Sequence, residues 1–318
     1  MYHRIATPQS DVWEISVSPQ NFEAHLQLLK KMGNVVTLPQ LSDDINAKRL
    51  KKNSIAITFD DGYIDNFTTA KPLLEKYGLP ATFFISTGNT ETNKEFWWDE
   101  LEQIILFTAH LPSQFHMMIN KSLIIYDLKS EMLLSEQLAE QHIKWKACTQ
   151  TFPTTRAGLF YDIWQHLKPL PCLNQQQYLQ KIRAWAGVNA SARANYRCMQ
   201  TAELQQLSAN NLFTIGAHTV THPALAHHTA SFQKEELITN KNLLKQITGK
   251  PIDFLAYPYG NYSETTISIT KDLHFKTAFT TEEKTIKKNN HQFSLGRWQV
   301  KNTSGEELNA QLKQMIKC

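Results

Sequence analysis

Two neighbouring carboxylates, Asp60 and Asp61, end the run SIAITF at 54–59 and are followed at once by Gly62. Adjacent acids at the end of a buried strand are costly unless something uses their charge. Successive strand side chains point to opposite faces, but at a strand end with a glycine behind it both carboxylates can reach one site. The same three residues also spell an ordinary surface turn. A second group is His218-Thr219-Val220-Thr221-His222-Pro223, just past the apolar run LFTIGA at 212–217. A spacing of four puts both imidazoles on one face of a helical turn, where they can share a cation. Imidazole suits zinc, cobalt or nickel, and a carboxylate such as Asp61 completes a three-ligand site with an open position. The chain has 12 histidines, so this spacing also arises by chance. A third group, Ala256-Tyr257-Pro258-Tyr259-Gly260, closes the run at 253–257. A Pro-Tyr-Gly turn fixes the backbone and can aim an N–H into a cleft, or simply joins a strand to a helix.

These groups must be held by elements, and the flanking sequence supplies them. Ser18-Pro19 reads as a helix start, Phe22, Leu26 and Leu29 share one helical face, and Gly33 ends the run. Apolar strands are expected at 35–38, 54–59 and 81–86, with a helix before Gly78. The stretch 91–211 changes character: it holds two of the 11 glycines but five of the seven tryptophans, and its apolar residues recur at helical spacing. It reads as a mostly helical insertion, with 1–90 and 212–318 as the body. Strands at 212–217, 253–257, 277–280 and 294–300 then alternate with helices at about 231–247, closed by Gly249, and 263–272. Parallel strands joined by helices make an α/β fold, and about seven of them suit a distorted (β/α)7-type barrel with an insertion. In such folds catalytic groups gather at the carboxyl ends of the strands, where all three groups lie.

Composition narrows the function. With 42% hydrophobic and 19% charged residues in 318, the chain can bury a core, and disorder is not expected. A net charge of +4, from 33 basic and 29 acidic residues, is too balanced for a nucleic-acid partner. No apolar run reaches the ~20 residues a transmembrane segment needs. Arg4, Asp11 and Glu14 interrupt the start, so no secretory signal is read there. Cys148, Cys172, Cys198 and Cys318 have no metal-site spacing and read as thiols. A cytoplasmic location follows as an expectation, with peripheral membrane association left open.

Taken together and in order, TFDDG at 58–62, HTVTHP at 218–223 and YPYG at 257–260 resemble the three leading motifs of the polysaccharide deacetylases, carbohydrate esterase family 4. The resemblance covers about 1–90 and 212–300. It implies a distorted (β/α) barrel and a divalent metal, usually zinc, with cobalt or nickel as alternatives. Carried across by position, Asp61, His218 and His222 would hold the metal, Asp60 would be the general base and the Tyr259 N–H would face the oxyanion. Three departures stand out. The third motif commonly begins with an arginine that contacts the base, and Ala256 stands there; Arg297 in SLGRWQV is the expected substitute. The family's C-terminal Leu-x-His, source of a general acid, is absent; His3 or His291 would replace it, or Asp60 would return its own proton, and His291 reads more simply as a surface residue. The insertion between the first two motifs is longer than usual. Tyr63, Trp298 and Trp98 are the expected sugar-stacking aromatics, although core packing explains each as well.

The leading expectation is a hydrolase of linear amides that removes an N-acetyl group from an amino sugar of a surface glycan or glycan precursor. A glycan, glycolipid or nucleotide-sugar would be its substrate. The alternatives are a metal-dependent amidohydrolase on a non-sugar amide and a carbohydrate-binding protein with a decayed site.

Overall fold

Residues 1–287 and 289–317 are described by the structure, a computed structural model. The chain divides into two units, one formed by 1–7, 15–92 and the segment from 198 onward, the other by 8–14 and 93–197. Along the chain come β1 (Arg4–Ile5), β2 (Ser16–Val17), α1 (Pro19–Met32), α2 (Leu38–Asn46), β3 (Ile57–Phe59), α3 (Lys71–Tyr77) and β4 (Ala81–Ile85). The second unit supplies α4 (Trp97–Phe107), the hairpin β5 (Gln114–Ile119) and β6 (Ser122–Asp127), α5 (Glu136–Lys144), α6 (Thr155–Leu167) and α7 (Cys172–Ala186). The first unit resumes with α8 (Thr201–Ala209), β7 (Phe213–Ala217), α9 (Ala230–Thr248), β8 (Phe254–Ala256), α10 (Glu264–Asp272), β9 (Thr277–Phe279) and α11 (Gly305–Lys317).

The first unit is built on a five-stranded parallel sheet, ordered β3-β4-β7-β8-β9 and curled into a half-barrel. Isolated parallel bridges extend it at both edges, Tyr2 with Phe59 and Phe279 with Leu295. All five residues of β4 are buried, as a strand with a neighbour on each side and helices over it requires. The loops after β3, β7 and β8 leave from the same end of the sheet because the strands are parallel. That common direction brings the three polar groups to one place.

Helix α1 forms as its sequence dictates. Ser18 Oγ accepts from the Asn21 N–H, Phe22, Leu26 and Leu29 are buried, and Gly33 closes the helix at φ 71°. The strand expected at 35–38 is instead a single bridge from Val35 to Ile55 followed by α2. Thr37 Oγ1 caps the Gln40 N–H and Pro39 sits in the first turn, so capping chemistry overrides the short apolar run. At 294–300 only Leu295 pairs with its neighbour. Residues 198–211 were expected in the insertion but belong to the first unit, since Leu204 and Leu207 of α8 pack into its core. The second unit is not wholly helical. In its antiparallel hairpin Phe115, Ile119 and Ile124 alternate inward. No helix among the described residues is long and apolar enough to cross a membrane. Cys148, Cys172 and Cys198 carry thiols rather than disulfides, and Cys318 lies outside the described residues.

Candidate active site

The loop after β3 carries Asp60 and Asp61, both buried. Their backbones differ: Asp61 has φ 72° and Gly62 φ 89°. This sharp turn frees both carboxylates from the strand's alternation and aims them separately. His218 and His222, which follow β7, are also buried. The Nε2 atoms of His218 and His222 lie 3.3 and 3.2 Å from the same oxygen, Asp61 Oδ1. One ligand atom from each of the three residues lies within 4.8 Å of the others.

The hydrogen bonds decide what this cluster accepts. His218 Nδ1 lies 2.8 Å from the Ala256 carbonyl oxygen. A carbonyl only accepts, so Nδ1 carries the proton and donates it. In the neutral ring this leaves a lone pair on Nε2 facing a carboxylate oxygen. Two electron-rich atoms in that arrangement call for a cation between them, and a second-sphere carbonyl of this kind is the usual partner of a metal-binding histidine. Burial lowers the His222 pKa, against the pull of Asp61, so its ring favours the neutral form a metal needs. Burial pushes the Asp61 carboxyl up, but positive charge and N–H donation from the imidazoles of His218 and His222, when these are protonated, outweigh it and hold the group well below its ordinary value; with neutral rings a cation takes that place. The residues therefore fit a divalent cation.

Asp60 turns the other way. Arg297 Nη1 and Nη2 donate to its two oxygens at 2.7 and 2.6 Å. The guanidinium also donates from Nε to the Thr280 carbonyl at 3.1 Å and lies over Phe84, 5.3 Å from the ring centre. Burial raises Asp60, while Arg297 and then His218 oppose it, and the net effect is a carboxyl below its ordinary pKa. Arg297 thus supplies the contact that Ala256 cannot make. The lateness of Arg297 in the chain is no obstacle, since the Leu295 bridge to Phe279 brings its segment alongside β9.

Tyr259 stands beside the cluster, its ring centre 4.5 Å from that of His222. Its backbone is left-handed, φ 57°. Gly260 follows at φ 64°, and a Cβ there would collide with Thr281. His3 shares the electrostatic surroundings of the site: burial lowers its pKa, and the neighbouring carboxylates of Asp61 and Asp60 raise it. Its Nδ1 is buried without a hydrogen-bond partner among the described residues. His291 is exposed and packs on Phe293.

The aromatic expectations fare differently. Tyr63 is not a sugar platform: it is fully buried, with the Arg4 guanidinium 4.7 Å over its ring. Trp98 is 5% exposed in the second unit, stacked on Phe96 at 4.4 Å, and its faces serve that unit's packing. Trp298 lines a cavity of about 690 Å³ together with Leu38, Leu41, Ile57 and Arg297.

A family model described as polysaccharide deacetylase matches residues 47–119 and 174–278, more than half of the chain. The chain belongs to the polysaccharide deacetylase family. Among curated proteins, YxkH of Bacillus subtilis (strain 168), which carries the same family's name, is 38% identical over 90 residues. That match spans 27% of this chain and 30% of YxkH, so less than a third of the curated relative is covered. Among solved structures the chain is similar to the Streptococcus pyogenes deacetylase PplD, solved in complex with acetate, at 20% identity and TM-score 0.55, covering 99% of this chain and 96% of PplD. IcaB from Ammonifex degensii is similar at 17% identity and TM-score 0.58 over 98% of this chain and 94% of its own. At such identities these structures speak for the shared polysaccharide deacetylase fold.

Two groups escaped sequence reasoning. Glu236 and Asn240 of α9 are buried and bind the backbone of the histidine loop. The signal was present: they lie on the stripe Gln233, Leu237, Leu244 and Ile247 that α9 turns inward.

Proposed function

We propose that the protein is a metal-dependent N-deacetylase that hydrolyses the N-acetyl group of an amino sugar in a surface glycan or glycan precursor. The observation that carries this reading is the pair of imidazole Nε2 atoms facing one oxygen of Asp61, with the His218 tautomer fixed by the Ala256 carbonyl. A divalent cation held by Asp61, His218 and His222 would supply Lewis acidity, bringing the pKa of a water down towards neutrality and polarising an amide carbonyl. Zinc, cobalt and nickel all suit the donor set.

The chain's own groups do the rest. Asp60, kept ionised by Arg297, takes a proton from the attacking water. The Tyr259 N–H, fixed by the left-handed turn at 259–260, faces the oxyanion as the carbonyl carbon becomes tetrahedral, a contact of the kind worth ~3 kcal/mol. The amine leaves only when protonated. Burial lowers the His3 pKa, which disfavours the imidazolium form that a general acid would need. Asp60, protonated in the first half of the reaction, is the stronger acid and returns that proton to the leaving nitrogen. Whether the sugar arrives on a polymer, a lipid or a nucleotide, and the cytoplasmic location expected above, belong to the same proposal.

The test is an assay of free acetate with the metal-reconstituted protein on N-acetylglucosamine oligomers, a glycolipid and a nucleotide-sugar. Acetate from any of these supports the reading. Acetate from none of them, while small non-sugar amides are cleaved, overturns the sugar assignment.

A further inference from the structure

Within the segment that carries the two histidines, the His222 N–H donates to Thr219 Oγ1 at 3.1 Å, and neighbouring elements supply further partners. Thr219 and His222 both have left-handed backbones, φ 65° and 57°, and such residues persist only where surrounding structure over-determines them. The surroundings are specific. Glu236 Oε2 accepts from the Val220 and Thr221 N–H groups, each at 2.8 Å, and Oε1 accepts from the Thr221 hydroxyl at 2.7 Å. One helical turn on, Asn240 Oδ1 accepts from the His218 N–H at 3.2 Å, and its Nδ2 donates to the Thr219 carbonyl at 2.6 Å. The same nitrogen lies 3.0 Å from both the Ile85 carbonyl and the Thr87 hydroxyl oxygens, so its two hydrogens are shared among three acceptors. The loop after β4 grips from another side, with the Gly88 N–H donating to the Val220 carbonyl at 2.7 Å. A Cβ at Gly88 would lie 2.7 Å from that oxygen.

We propose that Glu236 and Asn240 are positioning residues for the metal: they hold the 218–222 backbone so that both Nε2 atoms address one ion, and metal affinity is thereby set from α9. Neither residue touches the ligand atoms. A loop with two strained positions would otherwise relax, and the imidazoles would separate. The inference rests on the metal reading above and reaches past it to which distant side chains control affinity.

The test uses the full chain, stripped of metal and titrated with Co²⁺, followed by its visible d–d absorption. Calorimetry gives the unfolding temperature of the metal-free protein. Glu236→Ala and Asn240→Ala are expected to weaken Co²⁺ binding ~10–100-fold, as outer-sphere changes do, and to alter the band shape. Glu236→Gln keeps an oxygen for the two N–H groups and is expected to restore most of the affinity. Variants that lower the metal-free unfolding temperature but keep the wild-type Kd and spectrum would overturn the proposal. If Glu236→Ala does not fold, Thr221→Val removes only the hydroxyl bond; unchanged affinity there would count against the proposal in the same way. Failure of the wild-type protein itself to bind Co²⁺ would bring down the metal reading, and the proposal with it.

Discussion

Asp60 and Asp61 are chemically identical neighbours with different work, and their partners make the difference. Asp61 faces two imidazoles, while Asp60 is gripped by the fork of Arg297. Asp60→Asn is therefore expected to cut acetate release by ~10²–10⁴-fold while Co²⁺ titration shows an intact metal site. Arg297→Ala removes the largest of the effects that oppose burial, so the Asp60 pKa rises. A general base works only when ionised, so with Asp60 in the proposed role activity should fall as pH drops through its pKa. The acid limb of the kcat/KM profile should accordingly move to higher pH, with Arg297→Lys shifting it less because the charge stays and only the fork is lost. The residues of this pair and of the Asp61, His218 and His222 cluster were legible in the sequence through the order of three motifs and the resemblance they carry, since each motif alone also reads as an ordinary turn or a chance spacing. Tyr63 and Trp98 were misread because an aromatic residue beside a motif looks the same whether it faces a cleft or a core. Glu236 and Asn240 were passed over because isolated polar residues on a helix ordinarily face water.

The elements succeed or fail with their local stop and start chemistry. Where a cap, a periodic face and a terminal glycine agree, as in α1, sequence and structure coincide to the residue. Where they compete, as at Val35 and Thr37, the cap wins: the expected strand shrinks to one bridge and α2 begins at Leu38. The edge segment at 294–300 has one bridge rather than a ladder, and no periodicity in the sequence separates the two. Ser18→Ala should lower stability by about 1 kcal/mol without altering kcat, measured by denaturant unfolding beside an acetate assay. Gly260→Ala is a different matter. It forces a Cβ onto a left-handed residue and into Thr281, and the displaced turn carries Tyr259. Thermal unfolding should shift down and kcat should fall together, whereas a loss of stability alone would detach that turn from the chemistry.

At the scale of the whole molecule, one titration in the second unit should be visible from outside. Glu102 of α4 is 3% exposed, and one of its oxygens has no partner among the described residues. Burial, helped by the nearby Asp99, pushes its pKa from 4.5 up to about 8. The folded chain therefore keeps a proton that the unfolded chain gives up. Stability from this group is full below pH 4.5, is lost as pH rises from there to about 8, and is level above. Glu102→Gln should flatten that decline, so that melting curves of variant and wild type coincide near pH 4 and separate by pH 8; parallel curves across the range would contradict it. The other molecule-wide feature is the distance along the chain between the base and its cation. Asp60 and Arg297 are 237 positions apart, with residues 93–197 of the second unit encoded between them. Synthesis therefore delivers both aspartates and both histidines before the arginine, and the Asp60 carboxylate meets its guanidinium only once that later segment has emerged.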